Sequence, residues 1–107
     1  SLNPFLLECH SAIFNTLKPV FNNVNSYGTF IPSYDSNWGF IYASQDINAL
    51  TITPSAVDRR LKEREIHDLR FYDGLTHQHI FTLTKNIRTL RAAERRIIED
   101  NNPLFIY

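Results

Sequence analysis

Several side chains in this sequence could do chemistry, and their neighbours decide what they are for. His77 and His79 in THQHIF invite a metal reading. On a helix they project about 200° apart, and only on a strand would they share a face. A metal centre would also need further ligands with suitable geometry. Ordinary packing and hydrogen bonding is the preferred reading, and no metal is expected. Ser36 has no recognisable nucleophile elbow around it, and Cys9 falls on the apolar stripe of the first predicted helix, the setting of a buried structural thiol. Asp35 and Asp73 could act as acids or bases, but both stand beside Ser-Asn or Gly in turn settings. Phosphate cradles need closely spaced glycines ahead of a helix, whereas Gly28, Gly39 and Gly74 are scattered. Arg59, Arg60, Lys62 and Arg64 alternate with Asp58, Glu63 and Glu65, the pattern of a solvated helix face. No complete catalytic constellation can be assembled. If the protein is an enzyme, its reactive centre lies mostly outside this stretch.

Composition narrows the classes further. With 107 residues, 43% of them hydrophobic and 21% charged, the chain is a single modest globular unit. Its formal net charge of zero argues against a surface built to grip phosphate backbones, so no nucleic-acid partner is expected. Cys9 is alone and cannot form an intramolecular disulfide, which fits a cytoplasmic location. There is no charged-then-apolar leader and no apolar run near the roughly 18 residues of a membrane span, so no membrane association is expected. The chain contains no Met and opens with SLNPF at the entrance to a helix, which suggests a piece of something longer.

The elements that must position these residues follow from periodicity. Asn3 and Pro4 read as N-cap and first helical position, ahead of a stripe formed by Leu6, Cys9, Ile13 and Leu17 and widened by Phe14 and Phe21. Pro19 ends that helix. Residues 24–31 and 38–44, rich in β-branched and aromatic side chains, predict two strands, with a reversal among Pro32, Asp35, Ser36, Asn37 and Gly39. Thr53 and Pro54 cap and start a charged surface helix with Val57 and Leu61 inward. Residues 69–72 predict a short strand closed by Asp73-Gly74, and Thr76 a helix cap. In the last helix Ile87, Leu90, Ala93, Ile97 and Ile98 share one face, and Pro103 introduces an apolar tail, LFIY. Two neighbouring strands with a short reversal must be antiparallel. The fold class is α/β, with an antiparallel strand pair at the edge of a larger mixed sheet, flanked by helices.

Two blocks carry a resemblance. IPSYDSNWGFIYAS resembles the I-P-T-Y-P-S-G-x-W-x-F-x-x-A-S segment of the spermidine synthases, and RFYDGLTHQHIFTL resembles that family's closing motif R-Y-Y-N-x-x-x-H-x-x-x-F-x-L-P. Arg70, Tyr72, His77, Phe81 and Leu83 fall in register without gaps. The resemblance implies the C-terminal part of a Rossmann-like, methyltransferase-type catalytic domain spanning 1–107. Residues 85–107 form an extra C-terminal helix and tail, longer than the family's. It implies transfer of an aminopropyl group from decarboxylated S-adenosylmethionine, a co-substrate with no cofactor needed, to putrescine or a similar diamine. By the same resemblance the donor-binding turn and the catalytic aspartates lie upstream, so no catalytic residue is expected here and the chain alone should be inactive. Tyr34 and Trp38 match aromatics of the diamine pocket, where their faces would attract an ammonium group; cross-strand packing is the competing account of the pair. Arg70, Tyr72, His77 and Phe81 read as a structural motif.

This sequence departs from the family at Asp35, where the family has Pro, at Asn37, where it has Gly, and at Thr84, where it has the closing Pro. The turn is also one residue shorter. Asp35 could favour a cationic substrate or merely cap the turn. The severed sheet is expected to be covered by self-association into a homo-oligomer. The alternatives are a non-catalytic amine-binding module derived from this fold, or an interaction domain that docks a partner through its last helix and tail.

Overall fold

The antiparallel pair is the centre of the molecule. A computed structural model describes residues 1–101; the tail read from Pro103 onward lies outside them. Strand β1 (Asn23–Ile31) and strand β2 (Ser36–Ser44) pair without slippage from Asn23↔Ser44 to Ile31↔Ser36. A 3₁₀ turn over Pro32–Tyr34 makes the reversal, closed by the Asp35 N–H donating to the Pro32 carbonyl at 3.2 Å. Asp35 sits in the left-handed region at φ 48°, a conformation that Asp tolerates better than most residues. Ser36, Asn37 and Gly39, read as part of the turn, belong to β2 instead.

Alternation divides the hairpin into two faces. Asn25 and Tyr27 share one with Trp38, Phe40 and Tyr42; Val24, Ser26 and Gly28 share the other with Gly39, Ile41 and Ala43. Helix α1 (Glu8–Leu17) lies on the glycine-bearing face. Gly28 and Gly39 are paired there because a Cβ on either would strike Leu2, and one on Gly39 would also lie 2.7 Å from His10 Nδ1. Helix α2 (Pro54–Glu63) packs against helix α3 (Gly74–Phe81), and α3 covers the aromatic face. Helix α4 (Lys85–Ala93) runs beside α1. The result is helix, sheet, helix in three layers, as the α/β expectation requires. Two small buried clusters hold the layers: Leu2, Leu7 and Ile87 on one side, Ala49, Ile80 and Phe81 on the other. Among the described residues no helix is long and apolar enough to cross a membrane.

The outer edge of β2 is nearly bare. The Leu2 N–H donates to the Asn37 carbonyl at 3.1 Å, so that carbonyl points away from β1. Antiparallel ladders turn alternate residues outward in this way. Gly39, Ile41 and Ala43 therefore present their backbone groups along the same edge, and no backbone partner meets them there among the described residues.

Five expectations need correction. The first helix begins at Glu8 rather than at Asn3-Pro4, because Asn3 closes a separate turn, its Oδ1 accepting from the Phe5 N–H at 2.9 Å. Its inward face is Leu7, His10, Ser11 and Ala12, while Leu6 is 60% and Ile13 38% exposed and Cys9 is only half-buried. His10 approaches Gly39 and Ser11 lies toward Leu90 and Ala93 of α4, so the most apolar stripe is not the one that packs. Residues 69–72 form no strand: they have no ladder partner, and an unpaired strand leaves its backbone groups unsatisfied. The cap of α3 is Asp73 rather than Thr76, whose N–H donates to the Asp73 carboxylate at 2.9 Å. Those bonds from Thr76 hold the Asp73 carboxyl below the usual carboxylate range. Finally, α4 stops at Ala93, short of Ile97 and Ile98. Asn15 of α1 takes over the chain there, its Nδ2 donating to the carbonyls of Glu94 and Arg96 at 2.8 and 3.1 Å, while the Ile98 N–H donates to Thr16 Oγ1 at 2.8 Å. The Thr53 cap and Pro54 start of α2 are found as expected, with Val57 buried.

Gly74 fixes how closely α2 and α3 meet. A Cβ there would strike the Pro54 carbonyl oxygen and lie 2.6 Å from its carbon, and the Gly74 N–H donates to Asp58 Oδ1 at 2.8 Å. Because the obstacle is backbone, Gly74→Ala is expected to cost about 2 kcal/mol. Urea unfolding of the variant checks this, and a loss under about 0.5 kcal/mol would show that the two helices can part freely.

Candidate functional site

The hairpin tip gathers the residues singled out for amine binding. Tyr34 ends the 3₁₀ turn, Trp38 stands two residues into β2, and their rings meet at 4.5 Å between centroids with a 36° tilt. Both remain open to solvent, Tyr34 at 59% and Trp38 at 36% exposure, with exposed Asp35 between them in sequence. The rings pack on each other, as the cross-strand account of the pair expects, and leave their outer surfaces open. A substrate cannot slip between the rings: a methylene chain in contact with both faces would need them about 7 Å apart, twice the usual carbon contact distance. Tyr34 and Trp38 form one aromatic plate, which offers its outer surface to a cation or an alkyl chain.

Behind the plate, aromatic packing continues along the same face of the sheet. Tyr27 stacks on Phe40 at 5.2 Å and meets Phe81 at 4.8 Å with a 37° tilt. This is where the closing motif converges. His77 is buried, its Nε2 lies 2.8 Å from the Ala49 carbonyl, and its Nδ1 lies 2.7 Å from the Tyr72 hydroxyl. A carbonyl can only accept, so Nε2 carries the proton; Nδ1 of the neutral ring is then the acceptor, and Tyr72 donates. Burial pushes the Tyr72 hydroxyl pKa up, in keeping with a donor that keeps its proton. Ala49 in turn donates its N–H to Asn25 Oδ1 at 3.1 Å. Tyr72, His77 and Phe81 thus lock α3 to the hairpin through the Ala49–Thr51 turn. Arg70 is not brought to them; it is exposed in the irregular segment before α3. The two histidines part company on the helix, His77 inward and His79 exposed, and no group of three metal-ligating side chains occurs among the described residues.

Sequence reasoning passed over a polar cluster on the opposite face. His10 Nε2 lies 2.8 Å from Ser26 Oγ, which also accepts from Arg91 Nη1 at 2.8 Å. The Arg91 guanidinium rests on the Phe14 ring, 4.2 Å from its centroid. Burial, helped by the Ser1 ammonium and Arg91, pulls the His10 pKa down to about 4, so the ring is neutral at ordinary pH. A glycine in each of two adjacent strands was the available signal, since it marks where another group comes close; which group comes close depends on the tertiary fold.

No family model matches the chain. Individual relatives do. The polyamine aminopropyltransferase of Sulfurisphaera tokodaii is 40% identical over 102 residues, covering 95% of this chain and 34% of the relative. The polyamine aminopropyltransferase of Sulfolobus acidocaldarius is 42% identical over 100 residues, 94% of this chain and 33% of the relative. That of Saccharolobus solfataricus is 33% identical over 102 residues. The chain spans about a third of the length of these relatives. Matched through almost its whole length, it is homologous to a portion of the polyamine aminopropyltransferases.

Proposed function

We propose that this chain is the C-terminal portion of a spermidine synthase-like aminopropyltransferase of polyamine biosynthesis, acting in the cytoplasm, and that its hairpin tip forms one wall of the acceptor-amine pocket. The exposed Tyr34–Trp38 plate is the observation that carries this reading. The rings pack on each other and still leave an outer surface that a ligand can reach. The bare edge of β2 supports the same reading from the side of the fold. Unpaired strand edges are ordinarily covered, and further strands of a Rossmann-like sheet would cover this one. In the isolated chain a second copy would do so, giving a homo-oligomer.

In the reaction proposed, the neutral amine of putrescine or a similar diamine attacks the methylene beside the sulfonium of decarboxylated S-adenosylmethionine. The new C–N bond forms as the C–S bond breaks, and the sulfur keeps the electron pair as the thioether of methylthioadenosine. The amine's proton passes to a carboxylate contributed by polypeptide outside this chain. The residues here act on the far end of the diamine. The outer surface of the aromatic plate takes its methylenes and second ammonium group, and Asp35 adds negative charge beside it.

Trp38→Ala in the full reading frame containing this chain is expected to raise KM for the diamine about tenfold, with KM for the adenosyl donor unchanged. The 107 residues alone are expected to release no methylthioadenosine from the two substrates. Turnover by the isolated chain would overturn the assignment of the catalytic groups to other polypeptide. A folded but inactive full-length protein that still binds diamine would favour the non-catalytic amine-binding module.

A further inference from the structure

Among the described residues Arg91 has no anionic partner. Its guanidinium is half-buried, and its protein contacts are a hydroxyl, Ser26 Oγ, and the face of Phe14. A guanidinium carries five N–H donors, so most of its hydrogen-bonding capacity is unspent. Burial lowers its pKa.

The space beside it is a polar cleft of about 370 Å³ between the C-terminal half of α1 and the end of α4. Lys18, Arg91 and Arg95 line it, with Phe14, Asn15 and Glu94. Neither Lys18 nor Arg95 forms an ion pair among the described residues. The one carboxylate, Glu94, is already engaged: it accepts from Arg96 Nε at 2.9 Å, Nη2 at 3.3 Å and the Arg96 N–H at 3.1 Å. Those bonds hold its carboxyl below the usual range. Arg96 is shared with Glu8 at 3.0 Å. Asn15 is spent on the Glu94 and Arg96 carbonyls. Among the described residues three cations therefore line one opening with a single carboxylate, Glu94, which is already bonded to Arg96, in a chain whose formal net charge is zero. Cations near helix C-termini ordinarily answer the helix dipole, and Lys18 fits that account. Arg91 does not, because it turns across to Ser26 on the sheet and leaves its own helix end.

We propose that this cleft binds a small oxyanion, a phosphate or carboxylate group, held by paired N–H donors of Arg91 between Lys18 and Arg95. Arg suits the role because its planar fork matches two oxygens of such a group. The site lies on the glycine-bearing face, away from Trp38, and does not depend on the aminopropyltransferase reading.

Calorimetric titration of the 107-residue chain with inorganic phosphate, and separately with succinate, at ionic strength held constant with KCl, tests it. Saturable binding of at least one is expected, and which one binds tells a phosphoryl from a carboxylate ligand. Arg91→Gln is expected to weaken binding about tenfold or more, and Lys18→Gln and Arg95→Gln each about twofold to fivefold. Should Arg91→Gln fail to fold, the double variant Lys18→Gln/Arg95→Gln decides, since both side chains are exposed. Absence of saturation with either anion, or affinities that the variants leave unchanged, would overturn the proposal.

Discussion

Phe81→Ala should leave the chain largely unfolded at room temperature, with a loss of about 3 to 5 kcal/mol. The ring is buried and touches three aromatic partners: Tyr27 at 4.8 Å, Tyr42 edge-on at 6.5 Å and His77 at 4.6 Å. Its removal takes away the contact between α3 and the hairpin and opens a cavity beneath Tyr27. It also loosens His77, whose bond to the Ala49 carbonyl depends on the same docking. Small domains typically have only about 5 to 15 kcal/mol in total. Among the described residues the core is divided into two small clusters, neither with much to spare. Urea unfolding followed by far-ultraviolet circular dichroism checks the loss. Phe81→Leu serves as the control, because a branched side chain refills most of the space and should cost about 1 to 2 kcal/mol. A Phe81→Ala variant within 1 kcal/mol of the parent would mean that α3 is not what holds the aromatic face.

The same contacts show what could be read from the chain and what could not. The hairpin was legible because strand alternation and turn chemistry are local: nine residues pair with nine in one register, and Pro32 with Asp35 mark the reversal. The Thr53-Pro54 helix start was legible for the same reason, as a cap whose bond spans three residues. Three failures share a different cause. Leu6, Cys9 and Ile13 looked inward because apolar periodicity identifies a greasy stripe, whereas the face that packs sets His10 against Gly39 and Ser11 toward α4. The last helix looked longer because nothing near Ala93 announces that Asn15, far away in sequence, will capture the carbonyls beyond it. Residues 69–72 looked like a strand because composition cannot say whether a partner strand is within reach. At the candidate site, the types of Tyr34 and Trp38 could be read, but not that their rings would meet and act as one surface. Side-chain contacts between residues of a turn and a strand depend on the turn's length, and here the turn departs from the family pattern at that point.

Acidification between pH 6.5 and 4 should destabilise the chain by roughly 3 kcal/mol through His10 alone. The ordinary value for the group is 6.5, and in the folded state burial brings it to about 4. Above pH 6.5 the ring is neutral whether the chain is folded or not, so it contributes no pH dependence. As the pH falls through 6.5 the unfolded chain takes up a proton that the folded chain refuses. Stability then drops by up to about 1.4 kcal/mol per pH unit until the folded ring also protonates near 4. The physical obstacle is specific. A proton on this ring would be buried against the Gly39 backbone, share Ser26 with the guanidinium of Arg91, and face the amino terminus. The carboxyls of Asp73 and Glu94 are held low, so their own contributions are lost at more acid pH. That leaves the window from 6.5 to about 4.5 as the one in which to look for His10. His10→Gln keeps a polar group of similar reach to Ser26 but cannot titrate. Urea midpoints at pH 7.5, 6.5, 5.5 and 4.5 should therefore fall steeply for the parent and stay nearly level for His10→Gln. Equal slopes would show that His10 is not the group withholding its proton, and that the glycine-bearing face is more open to water than its packing implies.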